Sequence, residues 1–531
     1  MSDFNVATIN KFSKNDKEIY GFVRTTKEWE NLIILTIYGA QSKKDVGRIV
    51  CERETFVMDF IEVFKDSKLK AFIFQIDGTS ENVDFIRFSR INLDLIHVPY
   101  VFFKTGEQMR SAILVAANLA LNAGNRIVEV LIDDDGYVVS ELEYTEKGYL
   151  EREQRDCKPY KSMTAETIRQ RILGPNNPVK IICHANYPGK EVTKFLTQKV
   201  LNNVPSSKLL VMEEDLDQYD EKFVFETVKW IFDKSYTKFY VCQKAFRNYM
   251  IRVKYDDKDY PLILCKKGDV LPFKQEVTIP KSFLQFYHGC TGENDIDYIQ
   301  NKIFEIPKQV HALEFSLKVD VNNFMYANVR GLVFNKIPRF PALLDIKCLN
   351  IPIIGFYGEL SFMYVKNDEN SGYKLLDTWN GKLGKDLYIS FDEEKPKFFD
   401  DAVKKFEIKG TSVVHDLIKI MSTSPTNLSS LEPTLGYTLS SNDEHPILIE
   451  LNNYCGEKRA HSPSFFMALI LKEHLKALKL EFGEKPKEIG FCLFDDFSND
   501  PEAKARIQNG FKESCQMLQG LENECTFVDP L

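Results

Sequence analysis

Residues 345–421 decide the fold of this chain, and they read DIKCLNIPIIGFYGELSFMYVKNDENSGYKLLDTWNGKLGKDLYISFDEEKPKFFDDAVKKFEIKGTSVVHDLIKIM. An apolar run over residues 349–356 is followed by a glycine-bearing turn and a second apolar run that ends at Val365. A WNG turn then leads to a third run over residues 387–391. Short apolar runs separated by turn residues predict a hairpin of buried strands closed by loops.

Length and composition indicate a large globular protein. The chain has 531 residues, of which 44% are hydrophobic, and this is enough for more than one core. A formal net charge of −8 argues against nucleic acid as a partner, because phosphate binding needs Lys and Arg concentrated on one face. No stretch approaches the roughly 20 apolar residues of a membrane span, and the polar start lacks the apolar segment of a signal peptide. The 11 cysteines are dispersed without CxxC spacing, so we expect reduced thiols in a cytoplasmic protein without a membrane partner.

The first 150 residues alternate β-rich runs with helical patterns. Alternation of this kind predicts a layered α/β domain with helices against a sheet. The predicted strands cover residues 32–38, 71–76, 98–103 and 127–132, and the predicted helices cover residues 56–64, 83–92 and 106–121.

An internal repeat of architecture is expected between residues 21–86 and 436–507. Each segment contains a strand with a nearby glycine (LIILTIYG and PILIELNNYCG), then a helix, then a second strand (KAFIFQIDG and KEIGFCLFDD). Similar spacing in both copies predicts duplicated architecture.

A third informative stretch, LEFSLKVDVNNFMYANV over residues 313–329, predicts a two-stranded β-hairpin. Phe315, Leu317 and Val319 alternate with polar residues, which is the period of a half-buried strand. Residues 321–323 are predicted to form the turn.

Two of these stretches resemble the seventy-kilodalton heat-shock chaperones. Residues 354–356, 365–368, 380–382, 388–391 and 401–404 stand in the order and at the spacings of the opening of that family's nucleotide-binding domain, which begins IGIDLGTT and reaches GDAAKNQ. The stretch over 313–329 resembles IEVTFDIDANGILNVSA of the family's substrate-binding β-sandwich, and LCKKGDVLP and YHG resemble earlier parts of it. Asn323 occupies the family's glycine position, and Asn is the next best residue at positive φ.

The resemblance implies a fold class of α/β plus all-β, with incomplete actin-like (ribonuclease-H-like) ATPase lobes flanking a small chaperone-type β-sandwich. The implied domains are a partial actin-like nucleotide-binding domain over residues 1–260, a sandwich over 261–335 and a second partial nucleotide-binding domain over 345–531. The first copy is expected to begin inside its lobe, without the first phosphate hairpin.

In an ATPase of this family, two glycine-rich hairpins hold the phosphates, carboxylates order Mg²⁺, and a lysine contacts the γ-phosphate or the attacking water. The resemblance assigns the first hairpin to Gly355, Gly358 and Ser361, with Tyr357 at the family's aspartate. It assigns the catalytic lysine to Lys404. The alternative for Lys404 is a solvated surface lysine in a lysine-rich helix.

The second hairpin corresponds to Asp133 and Gly136, where an acidic run replaces the family's triple glycine. Three carboxylates could bind Mg²⁺, and the alternative is a D-D-G turn that joins two strands. The adenosine motif corresponds to HANYPG, residues 184–189, in which Gly189 lacks the paired glycines of the family. No metal site is predicted from the dispersed histidines.

These residues predict a divergent chaperone relative that acts as a polypeptide-binding or scaffold protein with weak or lost ATP hydrolysis. Its expected partners are unfolded or apolar polypeptide segments and other chaperones. The resemblance implies ATP or ADP with Mg²⁺ as cofactor, whereas the altered hairpins predict that none is bound tightly. The alternative is an active ATP-dependent folding chaperone with a composite site built from the two partial domains. A third reading, an unrelated enzyme of the actin or sugar-kinase superfamily, would need an intact phosphate hairpin.

Overall fold

The computed structural model shows a mixed α/β protein with several separate sheets. The structure describes residues 4–25, 31–76, 83–133, 136–157, 163–185, 190–255, 258–292, 298–347, 349–368, 371–431, 436–518, 521 and 525–530.

The first sheet has the order β3-β2-β1-β4-β5, in which β1 is antiparallel to β2 and parallel to β4. Helix α2 places Phe56, Phe60 and Phe64 on one face by their four-residue spacing, and all three rings contact Phe72 of β4. The strands and helices predicted in this segment are confirmed. The elements of this segment are α1 (Val6–Phe12), β1 (Ile19–Thr25), β2 (Leu32–Gly39), β3 (Asp45–Glu52), α2 (Arg53–Phe64), β4 (Leu69–Gln75), α3 (Val83–Leu95), β5 (Tyr100–Phe103) and α4 (Thr105–Ala117). Of these, α1, β1 and β3 were not predicted, and α4 ends at Ala117, before the predicted end at residue 121.

The second sheet repeats this connectivity as β8-β7-β6-β9-β10, with β6 antiparallel to β7 and parallel to β9. Helix α7 follows it as α4 follows the first sheet, and Lys222 of α7 donates to the Val115 carbonyl of α4 at 3.0 Å. The elements are β6 (Arg126–Ile132), β7 (Tyr137–Thr145), β8 (Gly148–Cys157), α5 (Ala165–Leu173), β9 (Lys180–Ala185), α6 (Glu191–Phe195), β10 (Leu209–Met212) and α7 (Asp220–Phe232).

A β-sandwich follows, made of the sheets β12-β11-β14-β15 and β13-β16-β17. Its first strand begins at Tyr249, upstream of the expected boundary at residue 261. The predicted hairpin over 313–329 is confirmed as β16 and β17, which pair in register from Ala312 with Leu332 to Val319 with Met325. The strands are β11 (Tyr249–Tyr255), β12 (Lys258–Cys265), β13 (Phe273–Pro280), β14 (Phe286–Thr291), β15 (Tyr298–Ile303), β16 (Ala312–Val319) and β17 (Met325–Leu332).

The turn between β16 and β17 attaches the sandwich to the first sheet. Asn323 has the predicted positive φ, at 64°, and its side-chain oxygen accepts a hydrogen bond from the Phe246 amide at 2.8 Å. Asn322 accepts from the amide of Phe102 in β5 at 2.9 Å, and the Phe324 ring contacts the Phe102 ring. The turn therefore has a conformational and a docking role.

Replacing Asn323 separates its conformational role from its hydrogen bond with the Phe246 amide. Both Asn323→Gly and Asn323→Ala remove the acceptor of the Phe246 amide, which costs about 1–3 kcal/mol. Alanine also disfavours the left-handed conformation, by about 1 kcal/mol more than glycine. We expect the alanine variant to be the less stable of the two in chemical denaturation. Equal unfolding free energies for the two variants would contradict a left-handed Asn323.

The C-terminal unit contains a third sheet of the same connectivity, β20-β19-β18-β28-β29, with β21 added to β19. Two small sheets, β23-β22-β24 and β25-β26-β27, accompany it. The elements are α8 (Lys336–Ile346), β18 (Ile353–Tyr357), β19 (Leu360–Val365), β20 (Lys374–Leu375), β21 (Lys385–Asp386), β22 (Ile389–Ser390), β23 (Lys397–Phe398), α9 (Asp400–Lys409), β24 (Val413–Val414), α10 (Leu417–Ser422), β25 (Thr438–Ser440), β26 (Leu448–Asn452), β27 (Lys458–His461), α11 (Pro463–Phe482), β28 (Gly490–Leu493), α12 (Pro501–Gln516) and β29 (Thr526–Phe527).

Three expectations about architecture need correction. The first two apolar runs form the antiparallel pair β18–β19, but the third run forms β22 in a separate sheet, because β21 already occupies the edge of β19. The repeat holds only for its second half, since α2 leads into β4 as α11 leads into β28, whereas β26 lies in a small sheet of its own. The first unit does open with a hairpin, β1–β2, whose turn lies outside the described residues.

Candidate functional site

The β18–β19 hairpin carries the first group of predicted site residues. Gly355 is buried in β18, where an added Cβ would lie 2.6 Å from the Phe494 ring. Ser361 is buried in β19, accepts from the Trp379 indole at 3.1 Å and donates to the Lys385 carbonyl at 3.4 Å. Both residues therefore serve the packing of this sheet rather than presenting a ligand-binding group.

Gly358 forms the turn of this hairpin, at φ 51°. Its amide donates to the Asp495 carboxylate at 2.9 Å. The sandwich also reaches the turn, since a Cβ on Gly358 would lie 2.5 Å from Pro280 at the end of β13. The Asp495 carboxylate thus accepts from the turn amide that a phosphate would need, and Pro280 packs against the turn.

Asp495 reaches the turn because it follows β28, the parallel neighbour of β18. The carboxyl ends of adjacent parallel strands meet at one sheet edge, which brings a residue after β28 beside a residue after β18. Burial raises the pKa of Asp495, while the Gly358 amide and the charge of Lys336 oppose this shift. Lys336 itself donates to the Phe494 carbonyl.

The other predicted residues lie elsewhere. Lys404 is exposed on α9 and pairs with Asp401 at 2.9 Å, which is the arrangement of a solvated surface lysine. Asp133 and Gly136 close the β6–β7 hairpin, where the Gly136 amide donates to the Asp133 carboxylate at 2.7 Å. Gly189 lies outside the described residues.

A cleft of about 510 Å³ opens between the sandwich and the C-terminal unit, at the Gly358 turn. The part of it that the structure describes is lined by these two units, and neither Asp133 nor Gly136 contributes to it. The sandwich supplies apolar side chains from the ends of its strands and from the β13–β14 connection, namely Val253, Leu262, Ile279, Leu284 and Phe286. The C-terminal unit supplies Gly358, Glu359, Tyr388, His415, Asp416, Ile418, Lys419, Ser422, Asp495, Asp496 and Phe497.

Two acidic residues at the floor of the cleft hold each other in place. A Glu359 carboxylate oxygen accepts from the Asp416 amide at 2.8 Å. Burial and the neighbouring charge of Asp416 raise the pKa of Glu359 well above its usual range. Burial also acts to raise the pKa of Asp416, but the hydrogen bond with His415 and the charge of Lys419 oppose this effect, and the pKa is lowered. The floor therefore combines one carboxyl group whose pKa is raised with another whose pKa is lowered.

His415 lies between this acidic pair and the aromatic side chain of Tyr388. Its ring stacks on Tyr388 with centroids 5.4 Å apart, and its Nδ1 lies 3.6 Å from the Asp416 carboxylate. Its Nε2 is buried and has no hydrogen-bond partner among the described residues. The cleft thus offers one polar ring nitrogen within largely apolar and acidic surroundings.

One ion pair joins the sandwich to the C-terminal unit beside the cleft. Lys281 of the sandwich lies 2.9 Å from Asp386 of the C-terminal unit, and their side chains are 13% and 5% exposed. Lys281 is thereby paired, and the other charged residues of the lining are Lys419 and four acidic residues, so acidic groups predominate. Such a surface repels phosphate and accepts apolar or cationic groups.

Sequence reasoning found Gly358 but missed its surroundings. The Asp-Asp pair after β28 was visible in the sequence as FCLFDD, and its position after a buried strand was a signal for the sheet edge. Nothing local in the sequence indicated that residues 279–286 of the sandwich lie against this edge.

No group of three His, Cys, Asp or Glu side chains among the described residues is arranged to hold a metal ion. No helix in the described ranges has the length and apolarity to cross a membrane.

Comparison with known protein families finds no family model that matches this chain, and no curated protein matches its sequence.

Proposed function

We propose that this protein is a divergent relative of the seventy-kilodalton heat-shock chaperones that binds polypeptide segments and has lost ATP hydrolysis. The observation that carries this proposal is the cleft at Gly358, where apolar residues at one end of the sandwich face the β18–β19 hairpin. The turn of this hairpin donates its Gly358 amide to Asp495 and packs against Pro280.

The topology supports the relationship. Three sheets share a connectivity in which an antiparallel meander is followed by two parallel strands, and this is the arrangement expected of an actin-like lobe. Two of these sheets are consecutive, and their following helices α4 and α7 are joined by the bond from Lys222 to the Val115 carbonyl. The sandwich and the third sheet come after them in the chain.

The chemistry at the hairpin supports the loss of hydrolysis. ATP with Mg²⁺ does not fit at Gly358, because the amide that would face a phosphate already donates to Asp495 and because several carboxylates surround the turn. A phosphoryl-transfer site that loses one such hydrogen-bond donor typically loses about 2.7–4 kcal/mol of transition-state stabilisation. Lys404 is exposed and paired with Asp401, away from the cleft lining.

The shape and lining of the cleft support polypeptide as the ligand. A volume of about 510 Å³ lies within the range of ligand pockets and accommodates a few side chains of an extended segment. Half-buried Leu262, Ile279 and Leu284 provide apolar contacts, and the carboxylates at the floor provide hydrogen-bond acceptors. Backbone amides of a bound segment are the complementary donors.

Two titrations test the proposal. Calorimetry with Mg·ATP should show no binding up to millimolar nucleotide. A permanently unfolded, fluorescently labelled protein should bind, and Leu284→Asp should weaken this binding by about tenfold or more, since it places a charge on the apolar wall. Lys404→Ala is the matched control and should change neither titration.

The two titrations also separate the alternatives. Micromolar binding of ATP with measurable turnover would favour the active chaperone with a composite nucleotide site. Unfolded protein that is not bound, or that is bound equally by the Leu284→Asp variant, would overturn the assignment of the cleft.

A further inference from the structure

A second recess lies along α11. The charged residues that line it are basic, whereas those of the cleft are mainly acidic. The recess has a volume of about 520 Å³. Its apolar floor comes from Phe465, Leu469 and Leu475 of α11 and from Met517 and Leu518, which follow α12. Met517 is 49% exposed. We call this recess the lysine groove because of the residues along its rim.

The rim carries four lysines, Lys472, Lys476 and Lys479 on α11 and Lys485 beyond its end. Lys476 pairs with Glu473 at 2.6 Å. Over the ranges that the structure describes, neither Lys472 nor Lys479 has a carboxylate within salt-bridge distance. Residues at this spacing lie on successive turns of one helix face, and seven residues advance by about 10 Å. The groove therefore combines an apolar floor with an ordered row of positive charge.

We propose that the lysine groove is a docking site for an acidic amphipathic helix of a partner protein. An apolar stripe on such a helix would lie on Leu469 and Met517. Glutamates on successive turns would face Lys472, Lys476 and Lys479, since the two helices share the same rise per turn. Helix-in-groove binding of this kind uses apolar anchors for affinity and flanking charges for orientation.

The features of the groove favour a peptide over an anionic membrane surface. The apolar residues form the floor of a recess between α11 and the residues that follow α12, which a flat lipid surface does not enter. The chain as a whole carries a formal net charge of −8, so it is repelled by an anionic bilayer beyond the immediate neighbourhood of these lysines.

A charge-swap experiment tests the proposal on the full chain. The probe is a synthetic amphipathic helix with leucines on one face and glutamates on successive turns beside them, labelled for fluorescence anisotropy. A second probe has lysines in place of the glutamates. The protein variants are Lys472→Glu/Lys479→Glu and, for the floor, Leu469→Asp. The control is Lys65→Glu/Lys199→Glu, which makes the same charge change at exposed lysines on other elements.

We expect the wild-type protein and the control to bind the acidic probe. The Lys472→Glu/Lys479→Glu variant should bind it about tenfold more weakly, because two attractions become repulsions, and should gain affinity for the basic probe. Leu469→Asp should weaken binding of the acidic probe. Thermal unfolding of each variant checks that the fold is retained.

Three results would overturn the proposal. The first is an acidic probe that the wild-type protein does not bind. The second is equal binding of the acidic probe by the wild-type protein and the charge-reversed variant. The third is binding of anionic phospholipid vesicles, but of neither peptide, that is lost on charge reversal, which would assign the groove to a membrane surface instead.

Discussion

The Glu129→Gln variant is expected to be more stable than the wild-type protein at pH 8, and equally stable near pH 4.5. Glu129 lies on β6 and is 0% exposed. Neither of its carboxyl oxygens has a hydrogen-bond partner among the residues described. Burial raises its pKa from 4.5 to about 8, although the charge of Arg110 opposes this shift.

The direction of this change in stability follows from the linkage between proton binding and folding. Between pH 4.5 and 8 the folded protein keeps a proton on Glu129 that the unfolded chain has lost. The free energy of unfolding therefore falls as the pH rises through this window. Each pKa unit corresponds to about 1.4 kcal/mol, so the wild-type protein loses on the order of 4 kcal/mol. Glutamine does not titrate and avoids this loss.

Glu151 lies in the same buried cluster and provides a control, because its pKa shift and the expected effect of its replacement on stability have the opposite sign. Its carboxylate pairs with Arg110 at 2.7 Å and with Lys244 at 2.5 Å. Burial acts to raise its pKa, but these two charges outweigh it, and the pKa is lowered. Its contribution to stability is present above the unfolded pKa and is lost in acid, so Glu151→Gln should destabilise the protein at neutral pH.

Chemical denaturation at several pH values between 4.5 and 8 measures both effects. The difference between the Glu129→Gln variant and the wild-type protein should grow with pH. If this difference were constant over the window, Glu129 would not be a buried protonated acid in the folded protein.

The Lys281→Met variant is expected to lose about 3–5 kcal/mol of stability, the usual result of removing one partner of a buried ion pair. Asp386 would remain 5% exposed with its charge uncompensated. One of its carboxylate oxygens already lacks a hydrogen-bond partner among the described residues. Burial raises the pKa of Asp386, and Lys281 opposes this shift. Losing the lysine therefore removes the main group that stabilises the charge.

A double variant separates the ion pair from packing. Lys281→Met/Asp386→Leu removes both charges, and we expect it to recover most of the lost stability. Lys404→Met breaks an exposed pair and should change stability by less than about 0.5 kcal/mol. Denaturation followed by far-ultraviolet circular dichroism measures all three. A double variant as unstable as Lys281→Met would show that Lys281 acts through its packing.

The Lys281→Met variant also tests whether the geometry of the cleft depends on this ion pair. Lys281 lines the cleft and its partner Asp386 belongs to the C-terminal unit, so the single variant should also weaken binding of unfolded protein. Retained binding in a destabilised Lys281→Met variant would show that the cleft geometry does not depend on this ion pair.

The sequence was most informative where the determinant is local. Apolar runs bounded by turn residues identified β4, β5 and β6 because a buried strand needs only its own residues to be apolar. The β16–β17 hairpin followed from alternation, and the positive φ of Asn323 followed from its place in the turn. Long-range pairing was less predictable, since the run over 387–391 looked like a neighbour of β19 but pairs in another sheet.

The sequence by itself determined the mixed α/β composition, the order of the strands along the chain and the absence of an intact phosphate motif at Gly358. Only the tertiary structure decided that the Asp495 carboxylate accepts a hydrogen bond from the Gly358 amide. It also decided that Pro280 and Lys281 of the sandwich contact the C-terminal unit. The physical reason is the range of the interactions. Strand and turn preferences act over a few neighbouring residues, whereas burial, hydrogen bonding and ion pairing at the cleft join residues that are distant in sequence and meet only when the units pack.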